Sequence, residues 1–137
     1  MLSRRKFAAC ALCALSGFAA TAVDEARAQA PGGIKRTILS KTELPDSKYV
    51  ALLVAVEIDS GATVPRHTHP GIESAYCLEG SVEVSVKGQS VRVVKAGDGF
   101  QIPAEVPHSA KVGDKPVKLA ITYTVEKDKP LVTPAPE

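Results

Sequence analysis

Val82, Val84 and Val86 alternate with Glu83, Ser85 and Lys87. The same period of two returns near the end of the chain, where Leu119, Ile121, Tyr123 and Val125 alternate with Lys118, Ala120, Thr122 and Thr124. Side chains of a strand point alternately to its two faces, so such runs describe strands with one face buried and one turned to water. Other short runs of similar character stand around them. Val50 to Ile58 is apolar almost throughout and rich in β-branched residues, which reads as a buried strand. Ala75-Tyr76-Cys77-Leu78 ends at Glu79-Gly80, Lys87-Gly88-Gln89 reads as a hairpin turn into a return strand from Ser90 to Lys95, and Phe100 to Ile102 runs from Ala96-Gly97-Asp98-Gly99 into Pro103. Past the first thirty residues, no stretch repeats at helical spacing. Short strands packed this closely, with Gly and Pro between them, specify an all-β barrel or sandwich. The 137 residues hold one such domain and not two.

The beginning of the chain obeys a different rule. Ser3-Arg4-Arg5-Lys6-Phe7 precedes an apolar, small-residue stretch from Ala8 to Ala22, and Ala26-Arg27-Ala28 offers a small-x-small cleavage pattern. This is the order of an export signal, and its apolar part is short and Ala-rich for a stable membrane span. The paired arginines, with Ser3 and Phe7 around them, resemble the twin-arginine signal, which carries proteins outward already folded. We therefore expect residues 1–28 to leave on export to the periplasm or beyond. An N-terminal arm over residues 29–48, a barrel over 49–126 and a C-terminal tail or edge-covering arm over 127–137 would follow.

Charge narrows the partners. Of 17 basic and 15 acidic residues, four and two lie in the first 28, which leaves thirteen of each sign beyond. A neutral body with no Trp and 4% aromatic residues lacks the basic footprint and stacking platforms of a nucleic-acid binder. Its plentiful Val, Ile and Leu exclude intrinsic disorder. Cys10 and Cys13 fall inside the signal, so Cys77 stands alone in the exported chain and no internal disulfide is available. The domain must hold together through its core, a metal or association with a second copy. A homodimer with no stable membrane span is the expected form.

The three histidines carry the chemistry. His67 and His69 are two residues apart, so on an extended strand both rings leave one face, roughly 6.5–7 Å apart along the strand. Glu73 shares their parity beyond Pro70-Gly71, where a turn or bulge can bring its carboxylate towards the rings. His108 lies on a later segment, after Pro103 and Pro107. Three neutral imidazoles and a carboxylate converging in a barrel suit a divalent first-row transition metal. The competing reading is a pair of exposed histidines on an edge strand, with His108 satisfied by a backbone bond.

These spacings resemble those of the cupin family. Gly61-x5-His67-x-His69-x3-Glu73-x6-Gly80 matches its first motif in full, and Gly97-x5-Pro103-x4-His108 is similar to its second. The resemblance covers Val50 to Val125. The second motif departs from the pattern, with Glu105 where the family usually has Gly and Val112 where it often has Asn. If the Glu105 turn needs positive φ, a side chain there costs about 1 kcal/mol. The resemblance implies a double-stranded β-helix, or jelly roll, with one divalent metal inside one end, held by His67, His69, Glu73 and His108.

Imidazole with carboxylate accepts Mn, Fe, Ni, Cu and Zn alike. Folding before export would close the site where free Cu and Zn are scarce, which favours Mn or Fe. The leading functional expectation is a dioxygenase-like oxidoreductase acting on a small aromatic, flavonoid-like or diketone substrate. A non-catalytic metal or small-ligand binding protein and a metal-assisted isomerase or lyase are the alternatives. The sequence commits no residue to acid–base work. Cys77 reads as a small buried hydrophobe with a reactive thiol as the alternative. Tyr123, Gln101, Tyr76 and Phe100 read as packing residues that can also line a pocket, and Glu105 as a solvated loop carboxylate that can also serve as a base near the metal.

Overall fold

The computed structural model describes residues 32–136. The export signal expected over residues 1–28, with Cys10 and Cys13, lies outside the described residues. Among the described residues there are ten strands and no helix, so none is long and apolar enough to cross a membrane.

Two antiparallel five-stranded sheets face each other. In spatial order the first holds β1 (Ile34–Glu43), β2 (Tyr49–Ile58), β9 (Val117–Glu126), β4 (Gly71–Glu79) and β7 (Gly99–Ile102). The second holds β10 (Thr133–Pro134), β3 (Thr63–Thr68), β8 (His108–Val112), β5 (Ser81–Val86) and β6 (Arg92–Lys95). This is the all-β jelly roll that the resemblance implies. Valines from both sheets meet between them. Val54 on β2 and Val117 on β9 come from the first sheet, and Val82 on β5, Val94 on β6 and Val112 on β8 from the second. Each is all but removed from water, which is worth roughly 1.5–3 kcal/mol per side chain.

Period-two reading places β5 and β9 as expected, since the inward series Val82, Val84, Val86 and Leu119, Ile121, Tyr123, Val125 are all buried. β2 is only half as expected. Val50, Leu52, Val54, Val56 and Ile58 face the core, but Leu53 is 41% exposed on the outer face. Its continuous apolarity therefore reports an apolar outer surface and not burial on both sides.

The stretch expected as an N-terminal arm contains β1, ten residues paired along β2 with one irregularity between Ile38 and Ser40. Its outward positions are polar and its inward series is broken by Arg36, so alternation is weak there. Within the expected tail, Thr133 and Pro134 pair with Thr68 and His67, so this segment covers the outer edge of β3. The hairpin turn at Lys87-Gly88-Gln89 forms with Gln89 N–H donating to the Val86 carbonyl at 3.0 Å. The return strand is shorter than expected and begins at Arg92.

Candidate metal centre

Each functional side chain is set by where the chain changes sheets. His67 sits near the end of β3 and pairs directly with His108, the first residue of β8. β3 ends at Thr68, and Pro70 turns the chain so that β4 begins at Gly71 in the opposite sheet. His69 occupies this corner, and Glu73 points inward from β4. The two histidines therefore do not project side by side from one strand. Their rings meet edge to face, with Nε2 atoms 3.2 Å apart and centroids 4.8 Å apart. Gly71 makes the crossing possible, because a Cβ there would lie 2.0 Å from the Thr124 carbonyl oxygen of β9.

The four ligand atoms of His67, His69, Glu73 and His108 lie within 4.8 Å of one another, and all four residues are buried. Glu73 Oε2 is 2.8 Å from His69 Nε2 and 3.3 Å from His108 Nε2. All three Nδ1 atoms are engaged by backbone carbonyls: His67 by Pro65 at 2.7 Å, His69 by Leu131 at 2.6 Å and His108 by Val106 at 3.0 Å. A carbonyl only accepts, so each Nδ1 carries a proton and each Nε2 is the ring nitrogen left to face the cluster. His108 Nε2 lies near the Glu73 carboxylate but is not aligned for a hydrogen bond, and is left without a directed partner.

Three Nε2 atoms and a carboxylate gathered around one point are the donor set of a divalent metal once the rings give up any Nε2 proton. Two donors each ~2.1 Å from one ion at right angles lie about 3 Å apart, close to the separations found. The residues present fit a divalent transition metal, with the Nδ1 carbonyl bonds holding the rings as the outer contacts of metal ligands usually do. Burial is the main cause that pushes His67 down to about 4, opposed by the Pro65 carbonyl and assisted by the neighbouring imidazoles. Burial would raise the Glu73 carboxyl, but His108 and His69 outweigh it and bring it down to about 2. At neutral pH both groups are in their ligating forms.

A pocket opens from this cluster. It holds about 350 Å³ of unfilled space including its open mouth, and Val56, Ile58, Val64, Leu119 and Ile121 give it apolar walls. Tyr123 and Arg36 add the polar groups beside His67, Glu73 and His108. Tyr123 is directly opposite Glu73 in the β4–β9 ladder, with its ring 4.8 Å from that of His69. Burial first, then the Glu73 charge, raises its hydroxyl well above the ordinary phenol range, so it stays protonated.

The remaining candidates lie elsewhere. Cys77 is fully buried, its Sγ 3.6 Å from the Glu79 carbonyl oxygen and its thiol pushed up by burial, as suits a small core residue. Tyr76 is 50% exposed on the outer face of its sheet. Gln101 donates to Ser74 Oγ, and with Phe100 it lines a separate crease between β5, β6 and β7. Glu105 is exposed at φ 59°, the strained turn anticipated for a residue in place of Gly. Thr68 Oγ1 donates to its carboxylate, and its backbone N–H donates to the His69 carbonyl at 3.0 Å. Val112 is core, with no polar neighbour in its place.

Two contributors escaped the sequence reading. Arg36 lay in the supposed arm, where its place after Ile34 in an alternating pair was the only signal. Leu131 acts through a backbone carbonyl, which no side-chain pattern announces.

A buried cluster of three imidazoles and a carboxylate, opening to a pocket inside a two-sheet β-barrel, defines a metal-binding barrel protein. The cupin domain profile matches residues 54–125, and the chain belongs to the cupin family. Among curated proteins none matches it. Solved structures that it resembles include an RmlC-like cupin from Shewanella frigidimarina, 29% identical over 71% of this chain and 80% of that one, with a TM-score of 0.59. The polyketide cyclase RemF from Streptomyces resistomycificus is 21% identical over 77% of this chain and 72% of that one, TM-score 0.61. The DMSP lyase DddQ from Ruegeria pomeroyi is 24% identical over 65% of this chain, which spans 44% of the lyase's length, TM-score 0.57. At these identities the cyclase and the lyase speak for the fold alone.

Proposed function

We propose that this cupin holds one divalent transition metal through His67, His69, Glu73 and His108 and acts on a small oxygen-bearing molecule admitted to the adjoining pocket. The observation that carries this reading is the set of three carbonyl-fixed imidazoles whose ligand atoms gather with one carboxylate within 4.8 Å. When bound, the metal supplies a Lewis acid and, if redox-active, a site for oxygen chemistry. The chain's own residues do the rest. The apolar walls exclude water from the substrate, and the protonated Tyr123 hydroxyl offers a hydrogen bond beside the ligands.

In its finer form the reading is a dioxygenase-like oxidoreductase for small aromatic, flavonoid-like or diketone substrates. A second reading is isomerase or lyase chemistry without oxygen, in which the same Lewis acid would stabilise an enolate. An oxygen electrode with phenols, β-diketones and thiols separates them. Oxygen uptake matching substrate loss supports the dioxygenase. Substrate loss without uptake supports the second reading, and binding without turnover leaves a metal or small-ligand carrier.

The metal we assign is Mn or Fe, acquired before export by the twin-arginine route; Ni, Cu and Zn suit the same donors. Changing Arg4 and Arg5 together to Lys should then hold folded protein in the cytoplasm. A normally exported variant would remove the basis for preferring Mn or Fe. We place the homodimer on the outer face of the first sheet, where Leu53, Ile72, Tyr76 and Leu78 are 41–51% exposed.

A further inference from the structure

Arg36 is an exposed arginine on β1, the edge strand of the first sheet. It pairs with Val56, a residue 3% exposed, and opposed residues of an antiparallel pair share a face, so Arg36 belongs to the inward series of β1. In that series Ile34 is buried and Ile38 is 60% exposed, so Arg36 stands where β1 passes from the core to the pocket mouth. None of the ion pairs among the described residues includes Arg36. Arg36 and Tyr123 instead both line the pocket that holds His67, Glu73 and His108.

A cation free of carboxylates, at the open side of a pocket with apolar walls, is suited to a ligand that brings its own negative charge. Guanidinium presents a planar fork of N–H donors matched to a carboxylate, and the phenol hydroxyl beside it adds a third donor. Tyr123 lies against the His69 ring and shares the pocket with Arg36, so a molecule seated between the two lies against the metal site. We propose that Arg36, with Tyr123, is the specificity-determining anchor for a carboxylate, and that the pocket takes small organic acids whose apolar body packs on Val56, Ile58, Leu119 and Ile121. This rests on the small-molecule reading above and narrows its substrates to anions. Arg36 is a binding residue here and is given no part in bond making.

Calorimetric titration of the full protein with benzoate and its uncharged analogue benzamide tests this, on metal-loaded and metal-free samples. The wild type should prefer benzoate by at least about tenfold, as a charge-assisted pair predicts. Arg36→Gln should erase the preference in both samples, Arg36→Lys should keep part of it, and Tyr123→Phe should weaken it. Metal content and melting should stay at the wild-type level in Arg36→Gln. An arginine that only guards a sheet edge would leave benzoate binding unchanged in Arg36→Gln, which overturns the proposal. A preference that survives Arg36→Gln but vanishes with the metal also overturns it, by putting the carboxylate on the metal. A protein that takes up no metal yet loses its benzoate preference in Arg36→Gln would refute the metal reading and leave the anchor standing.

Discussion

The two motif segments are mirror crossings of the same barrel. The first leaves the second sheet on β3 and enters the first sheet on β4; the second leaves the first sheet on β7 and returns on β8. They meet twice, β3 against β8 and β4 against β7, so His67 lies opposite His108 and Glu73 opposite Ile102. His67 and His108 are even held alike, each by the carbonyl two residues earlier. Yet the first crossing keeps every position of its pattern, and the second carries Glu105 and Val112 in place of the usual residues. The difference follows from what each position touches. Gly71 abuts the backbone of β9 and has no room for a side chain, whereas Glu105 stands on an exposed turn where only its φ is strained.

Damage to the tight crossing should therefore exceed damage to the loose one. Gly71→Ala forces a methyl onto the Thr124 carbonyl and should cost roughly 3 kcal/mol or more in denaturant unfolding. A cost under about 1 kcal/mol would mean that the corner yields easily.

The next effect separates His69 from the other two rings, because its Nδ1 partner comes from Leu131, far outside both motifs. A chain ending at Pro130 should fold but bind metal about 10- to 100-fold more weakly, measured by competition with a chelator. Unchanged affinity would show that the corner alone orients His69.

Acid should destabilise the metal-free protein through two groups of the first motif, His67 and Glu73. The folded state keeps His67 unprotonated down to about 4, against an ordinary value of 6.5, so the unfolded chain binds more protons in between. Stability should fall as pH drops from 6.5 towards 4. Glu73, held down to about 2 against 4.5, removes more below 4.5. Melting curves across this range should lose part of the first decline in His67→Gln.

The smallest effect concerns the relaxed turn. Glu105→Gly should raise stability by no more than about 1 kcal/mol, since relief of positive φ is offset by a more flexible unfolded chain. A clear loss would show that its carboxylate contact with Thr68 outweighs the strain.

The site was legible in the sequence because a metal needs fixed residue types at fixed spacing. The parity argument for His67 and His69 found the right neighbours by an imperfect route, since His69 stands past the strand on the turn made by Pro70 and Gly71. Strands were legible where one face is uniformly apolar, as in β5 and β9. β8 was missed because its inward residues are His108, Ala110 and Val112, a ligand and a small residue before a single large hydrophobe. β1 was hidden by Arg36 and by the irregularity at Ile38. Pairing to a neighbour defines these two strands, and a single segment carries little trace of it.

The central claim is that residues from both crossings share one metal. Elemental analysis of the purified wild type beside His69→Ala and His108→Ala tests it most directly, with circular dichroism to confirm that each variant is folded. One divalent transition metal per chain is expected in the wild type, and none bound stoichiometrically in either folded variant. A full metal complement in His108→Ala, with the wild type's melting temperature, would contradict the account.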